Sequence, residues 1–167
     1  MQSAAPELDR YLSRILPERE PTLARMEALA RRKDFPIIGP QVGRLLYQYA
    51  RLIRARRVFE LGSGFGYSAF WFSLALGARG EIHLTDSDEE NLIRAGKFLR
   101  QGKLKSRYRF HLGDALESLE GVSGKFDIIL NDIDKVDYPE VIEQALARLK
   151  RGGLLITDNV IWSGKVY

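Results

Sequence analysis

Apolar residues recur at helical spacing in three successive segments near the start of the chain. A repeat of three or four positions predicts three amphipathic helices within residues 1–55. The apolar positions are Leu8, Tyr11, Leu12, Ile15 and Leu16 in the first segment, Leu23, Met26 and Leu29 in the second, and Val42, Leu45, Leu46, Tyr49, Leu52 and Ile53 in the third. We expect these helices to cover a sheet, to cap a ligand or to pair two subunits.

From Arg57 the pattern changes to short β-branched or aromatic runs, which are RVFEL, EIHLT, RYRFHL, FDIILN and GLLIT. The segments between them show helical spacing, for example from Tyr138 to Leu149. Strict alternation of strand and helix predicts an α/β fold, doubly wound, with a mostly parallel sheet and helices on both faces. We expect one domain over residues 1–167, with the sheet-forming core in residues 56–167. Ligands of such folds bind at the carboxyl ends of the strands.

Composition narrows the function classes. The chain has no cysteine, which excludes disulfides and a cysteine nucleophile, and no apolar run long enough to span a membrane. We therefore expect a cytoplasmic protein without a membrane partner.

The net charge is only +4, but residues 97–109 carry six basic side chains and no acidic one. We interpret this stretch as a solvated face, with an anionic partner as the alternative.

The first strand leads into FELGSGFGYS, a glycine-rich turn before a helix that should begin near Tyr67. Glycines allow a tight turn and close approach of a ligand, and a helix N-terminus offers N–H groups to an anion. Asp86, at the end of the second strand, lies where a ribose-binding acid is found in dinucleotide sites. Glu60 disfavours a pyrophosphate but suits a cofactor with an ammonium group, such as S-adenosylmethionine. Asp114, after the third strand, suits an adenine amino group or a helix N-cap.

The fourth and fifth strands end in LNDIDKVDY and TDNVIW. Because neighbouring parallel strands bring their carboxyl ends together, Asp132 should meet Asp158 and Asn159 in one crevice. Two carboxylates and an amide oxygen suit Mg²⁺, Mn²⁺ or Ca²⁺, of which we expect Mg²⁺. The alternative is that Asp158 and Asn159 only form a turn.

Taken together, these segments resemble the Rossmann-like class I S-adenosylmethionine-dependent O-methyltransferases of the caffeoyl-CoA and catechol type, whose members use a divalent metal. The resemblance runs from about Phe35 to Tyr167 and is carried by FELGSGFGYS, FDIILNDIDKVDY and GGLLITDNVIWSG. It implies a methyl transfer to a metal-chelated phenolic or catechol hydroxyl of a small molecule, and a homodimer.

The resemblance also implies roles for individual residues. The residues that would bind the cofactor are Glu60, Gly62, Gly66, Ser68, Asp86, Asp114, Ala115 and Asp132. Asp132, Asp158 and Asn159 would bind the metal. Lys135 would act as the general base, and Trp162 would form a wall of the acceptor pocket.

Two features depart from the family pattern. Asn131 occupies a position that is usually apolar, and the chain ends where relatives continue with a helix and two antiparallel strands. We therefore expect those strands to be missing and β-strand five to lie at a sheet edge.

The alternatives to a small-molecule O-methyltransferase are a tRNA hydroxyl as the acceptor, a non-catalytic cofactor-binding domain or, more distantly, a nicotinamide-dependent oxidoreductase. His83 and His111, both in predicted strands, are assigned no role.

Overall fold

Five strands form one parallel sheet in a computed structural model that describes residues 6–133 and 138–160. The strands are β1 (Arg57–Leu61), β2 (Glu81–Asp86), β3 (Arg107–Leu112), β4 (Phe126–Asn131) and β5 (Leu149–Thr157). Their order across the sheet is β3-β2-β1-β4-β5, and every pair of neighbours is parallel. The predicted α/β fold is therefore confirmed.

Seven α-helices surround the sheet within the described residues. They are α1 (Pro6–Ile15), α2 (Pro21–Lys33), α3 (Gly39–Leu52), α4 (Tyr67–Leu76), α5 (Glu89–Gln101), α6 (Ala115–Gly121) and α7 (Tyr138–Arg148). The three helices predicted before Arg57 are present, and each later helix connects two strands. None of the described helices combines the length and the apolar character that crossing a membrane requires.

The two faces of the sheet carry two separate apolar clusters. On one face, α4 and α5 pack on β2, while α3 packs mainly on α4, and α2 packs on both α4 and α5, so that the same cluster extends outwards. On the other face, α6 and α7 cover Phe59, Leu61, Phe126 and Ile129. Helices thus lie on both faces, as the alternating sequence predicts.

Strand order explains where a ligand can bind. The chain adds β2 and β3 on one side of β1, and then returns to add β4 and β5 on the other side. The connections that leave β1 and β4 therefore diverge, which opens a crevice at their carboxyl ends. The glycine turn, Asp86, Asp114, Asp132 and Asp158 all follow or end a strand at this edge.

The prediction for Leu149 is wrong. Helical spacing places it at the end of the last helix, whereas it is the first residue of β5 and pairs with Phe126. Leu149 is 8% exposed and packs in the cluster with Phe126, so the same apolar residue satisfies either pattern. The strand thus begins four residues before the predicted run GLLIT, and β5 is an outer strand of the described sheet.

Candidate active site

A cleft of about 730 Å³ lies at the carboxyl ends of the strands. The predicted residues that line it are Gly62, Ser68, Asp86, Asp114, Ala115, Asp132, Asp158 and Asn159. Gly66 adjoins the cleft as the residue before α4, and Glu60 lies below it in β1. Lys135 and Trp162 lie outside the described residues, so their roles stay predictions.

The turn after β1 requires glycine for steric reasons. Gly62 and Gly66 have φ angles of 80° and 83°, a region that L side chains rarely adopt. A methyl group at Gly62 would lie 2.7 Å from the carbonyl oxygen of Asp132, and one at Gly66 would lie 2.8 Å from the side chain of Ala95. The backbone amide of Asp132 donates to the carbonyl of Leu61 at 2.9 Å. The glycines therefore let β1 approach β4 and let α4 approach α5.

Thr85 and Ser63 join this turn to β2. The Thr85 hydroxyl donates to the carbonyl oxygen of Glu60 at 2.8 Å and accepts from the Gly62 amide at 3.2 Å. The Ser63 amide donates to the Thr85 carbonyl at 2.8 Å, and the Ser63 hydroxyl accepts from the Thr85 amide at 3.1 Å. Sequence reasoning missed both residues, although a hydroxyl at the end of a buried strand is a usable signal.

Glu60 is an acid buried in β1, directly below the cleft. It is fully buried, and neither of its oxygens has a hydrogen-bond partner among the described residues. Burial raises the pKa of Glu60 to about 8; the nearby Ser68 and Ser63 hydroxyls oppose the rise, and the charge of Asp132 adds to it. Neither hydroxyl meets hydrogen-bond geometry with Glu60. The carboxylate therefore lacks a hydrogen-bond partner among the described residues, and an ammonium group would supply one.

Asp86 is held in place at the end of β2. Its Oδ1 accepts hydrogen bonds from the Asp88 amide at 2.9 Å and from Asn91 Nδ2 at 3.2 Å. Asn91 is buried in the first turn of α5, and sequence reasoning missed it. The Gly113 amide donates to the carbonyl oxygen of Asp86 at 3.1 Å, which brings the end of β3 to the same side of the cleft.

Asp114 caps helix α6, the alternative role considered for it. Its side chain accepts from the Glu117 amide at 2.8 Å, and the residue is exposed at the cleft. Gly113, with φ of 119°, would meet no atom within 4 Å if it carried a methyl group. Open space above Gly113 and a fixed Asp114 leave room for a flat ring beside Ala115.

Asp132, Asp158 and Asn159 line the same cleft. The Asp158 amide donates to the carbonyl of Asn131 at 3.0 Å, which fixes the end of β5 beside β4. Asn159 has a left-handed φ of 56° and donates from Nδ2 to Asp158 Oδ2 at 2.8 Å. This contact uses the amide nitrogen, so the amide oxygen is the atom of Asn159 suited to a hard cation. The donor set of two carboxylates and one amide fits a divalent metal.

The segment Phe35–Ile38, between α2 and α3, forms another wall of the cleft. The ring of Phe35 lies 4.9 Å from that of Phe65, and a methyl group at Gly64 would lie 2.9 Å from it. The segment is irregular and has no pattern of its own, so sequence reasoning assigned it no role. It brings the N-terminal part of the chain to the glycine turn.

This combination of a doubly wound sheet, a buried acid near the end of β1 and a glycine turn after that strand is that of a class I S-adenosylmethionine-dependent methyltransferase. A sequence profile of the O-methyltransferase family matches residues 18–167. The chain belongs to that family.

Individual relatives agree with this assignment. A catechol O-methyltransferase from Niastella koreensis is 34% identical over 166 residues, covering 95% of this chain and 75% of that protein. Caffeoyl-CoA O-methyltransferase 1 from Eucalyptus globulus is 32% identical over 129 residues, covering 74% of this chain and 52% of that protein. The structure of the O-methyltransferase TomG from Streptomyces achromogenes, in complex with S-adenosylmethionine, superimposes with a TM-score of 0.87 at 29% identity, covering 96% of this chain and 74% of that one.

Proposed function

We propose that this protein methylates a phenolic or catechol hydroxyl of a small molecule that chelates a divalent cation, most suitably Mg²⁺, at Asp132, Asp158 and Asn159. The observation that carries the proposal is the single cleft that these three residues share with the glycine turn and Asp86. A methyl donor and a chelated acceptor bound in one cleft would lie side by side, and such positioning alone can supply a large rate enhancement.

Different residues of the cleft would bind different parts of the methyl donor. Glu60 would pair with the ammonium group of S-adenosylmethionine, because its buried carboxylate has no other partner among the described residues. The first turn of α4 and Ser68 would bind the cofactor carboxylate, since the N-cap residue Gly66 offers no side chain to the amides there. Asp86 would hold the ribose hydroxyls, and Asp114 with Ala115 would border the adenine.

The acceptor side needs a deprotonated oxygen. A phenol has a pKa near ~10 and is a weak nucleophile at neutral pH. A divalent cation at the carboxylate pair would favour the oxyanion. The acceptor oxygen then bonds to the methyl carbon as the sulfur–methyl bond breaks, and the phenolic proton goes to a base, the role that the family resemblance gives to Lys135. Trp162 would form a wall of the acceptor pocket.

Product analysis tests the proposal. The protein is incubated with S-adenosylmethionine and a panel of catechols, with Mg²⁺ or with a chelator, and methylated products are detected by mass spectrometry. We expect product with Mg²⁺ and none with chelator or with Asp158→Ala. Equal product with and without chelator would overturn the metal role. Cofactor binding by calorimetry with no product from any catechol would overturn the proposed acceptor class.

A tRNA hydroxyl is the second candidate acceptor, favoured by the basic residues in the second half of α5, in the loop after it and in β3. All six are exposed: Lys97, Arg100, Lys103, Lys105, Arg107 and Arg109. Contacts with phosphates release counterions, so binding to tRNA should weaken linearly on a log–log plot against salt. The double variant Lys103→Glu/Lys105→Glu should reduce that slope, while Arg31→Glu/Arg32→Glu, with the same charge change on exposed positions of α2, should leave it unaltered. Equal slopes would exclude this surface as an RNA footprint.

A homodimer is the proposed assembly. Helices α1 and α3 contact each other and expose apolar residues at helical spacing, namely Leu8, Tyr11 and Ile15 on α1 and Leu45, Tyr49 and Leu52 on α3. Leu52 is 75% exposed, and such patches are typical of protein interfaces. Sedimentation should show a dimer that Leu52→Asp dissociates and Ile93→Asp, at an exposed apolar position on α5, does not. A monomeric wild-type protein would contradict the proposal.

A further inference from the structure

Glu27 on α2 is a buried acid that the proposed chemistry does not use. It is 5% exposed, and its Oε1 accepts a hydrogen bond of 2.8 Å from the hydroxyl of Tyr67, 40 residues along the chain. Arg19 Nε lies 2.9 Å from the same oxygen, at ion-pair distance but outside hydrogen-bond geometry. Burying a carboxylate is costly unless it is paired, so Glu27 depends on these two neighbours.

Tyr67 connects Glu27 to the cofactor cleft. It is the first residue of α4, follows Gly66 directly and lines the cleft together with Ser68. Tyr67 is 2% exposed, and its ring packs edge-on against Trp71, with 6.5 Å between the ring centroids. With the ring packed on Trp71 and the hydroxyl bound to Glu27, the side chain of Tyr67 is fixed at both ends. The first turn of α4, which carries the side chain, is fixed with it.

The C-terminal end of α2 makes a second contact with the glycine turn. Asp34 ends the helix in a left-handed conformation, with φ of 50°, and the Phe35 amide donates to the Ala30 carbonyl at 2.9 Å. This bend carries Phe35 onto Phe65 and against Gly64. Helix α2 therefore touches the turn on both sides, at Gly64 and Phe65 through Phe35 and at Tyr67 through Glu27.

We propose that Glu27 is a positioning residue for the methyl donor: through the hydroxyl of Tyr67 it holds the first turn of α4 and the glycine turn in the geometry that binds S-adenosylmethionine. The inference rests on the proposed placement of the cofactor. It adds that the N-terminal helices contribute to donor affinity through one buried hydrogen bond, although Glu27 itself does not line the donor cleft. The proposed acceptor side, formed by Asp132, Asp158 and Asn159, lies instead after the ends of β4 and β5.

Three variants separate positioning from simple stabilisation. Glu27→Leu fills a similar volume and removes the acceptor, Tyr67→Phe removes the donor but keeps the ring, and Glu27→Gln retains an oxygen that can accept from Tyr67. Glu20→Leu is the matched control, because Glu20 caps the same helix through Thr22 at 2.7 Å and touches neither Tyr67 nor the cleft. The affinity for S-adenosylhomocysteine is measured by calorimetry well below each melting temperature, together with KM for the donor and for the acceptor.

We expect Glu27→Leu and Tyr67→Phe each to weaken binding about tenfold, within the usual range of coupling between separate elements. The double variant should bind S-adenosylhomocysteine no more weakly than either single variant does. Glu27→Gln should recover most of the affinity, and KM for the donor should rise while KM for the acceptor stays constant. Affinities within twofold of the wild type, with a lowered melting temperature, would overturn the inference and leave the proposed cofactor site intact. Failure of the wild type to bind S-adenosylhomocysteine would overturn both.

Discussion

The backbone amide of Asp158 donates to the carbonyl oxygen of Asn131 at 3.0 Å, so the residue after β5 is fixed beside the last residue of β4. Asn159 follows Asp158, and Asp132 follows Asn131. Both of these next residues line the same cleft. This backbone contact brings together acidic groups that are far apart in the sequence, and it gives the proposed cation site a rigid base.

The carboxylate of Asp158 should control the metal requirement. Asp158→Asn keeps the shape and a ligand oxygen but removes a negative charge, so we expect the Mg²⁺ concentration for half-maximal activity to rise at least about tenfold. Asn159→Ala, which removes a neutral ligand, should have a smaller effect. Glu143→Gln, at an exposed position of α7, serves as the charge control. A metal titration of Asp158→Asn that coincides with the wild type would contradict the proposed site.

Glu60 should lower the stability of the unliganded protein as pH rises. Its pKa is about 8 in the folded state against an ordinary value of 4.5, so between these values the folded state binds more protons than the unfolded state. Stability therefore falls as pH increases from about 4.5 to about 8, by about 1.4 kcal/mol for each unit of pKa difference. Glu60→Gln should remove this decline and be more stable than the wild type at pH 8.

The same substitution should abolish tight donor binding, because the neutral amide cannot pair with an ammonium group. Denaturant titrations at pH 5 and pH 8 give the stability, and calorimetry gives the affinity for S-adenosylmethionine. Higher stability at pH 8 combined with unchanged affinity would show that Glu60 is buried for another reason than donor binding.

Gly62→Ala should cost more than backbone strain alone. The added methyl group would lie 2.7 Å from the carbonyl oxygen of Asp132, so β1 and β4 would have to move apart. Gly152 has nearly the same φ, 79°, and nothing within 4 Å of an added methyl group. We expect the free energy of unfolding to fall by about 1 kcal/mol for Gly152→Ala and by roughly 3 kcal/mol or more for Gly62→Ala. Equal losses in urea titrations would show that the approach of the two strands tolerates the methyl group.

Glu81 should contribute stability that acid removes. It accepts from Arg57 Nε at 2.9 Å and lies 3.0 Å from His83 Nε2. The hydrogen bond with His83, followed by that with Arg57, lowers the pKa of Glu81 to about 2. A lowered carboxyl pKa gives stability that is present above the unfolded value of 4.5 and is lost as pH falls towards 2.

Glu81→Gln should therefore destabilise the protein by roughly 2 kcal/mol at pH 7 and have little effect near pH 2, on the scale of 1.4 kcal/mol per pKa unit with an allowance for partial exposure. Glu90→Gln is the control, because it removes the same charge from an ion pair with Arg94 in which Glu90 is 63% exposed. Urea titrations between pH 2 and pH 7 measure both. A destabilisation by Glu81→Gln that does not change with pH would contradict the lowered pKa.

Periodicity was sufficient for the fold because most of the strands and helices bury a face that their own sequence marks. Alternation from Arg57 onwards predicts the parallel sheet, in which all carboxyl ends lie at one edge, and the reversal of strand order opens the crevice at that edge. Leu149 shows the limit of this reasoning: one apolar residue at an element boundary fits a helix or a strand, and only its pairing with Phe126 decides.

The cleft likewise contains residues whose place the sequence could predict and contacts that it could not predict. Gly62, Asp86 and Asp132 could be predicted to lie at the cleft, with Glu60 directly below it, because each lies at or next to the end of a strand, although their roles in binding stay predictions. The contacts of Asn91 with Asp86, of Phe35 with Phe65 and of Glu27 with Tyr67 depend on how separate elements pack. No local sequence pattern encodes such contacts, so the structure was needed to find them.

Strand order also has a consequence for synthesis of the chain. β1 is central and is made first, β2 and β3 extend the sheet on one side, and β4 and β5 then fill the other side. The strands that precede the glycine turn, Asp86 and Asp114 therefore leave the ribosome before those that precede Asp132 and Asp158. Until β4 pairs with β1, the edge of β1 that faces away from β2 lacks a strand partner, and an unpaired edge of this kind favours association with other chains.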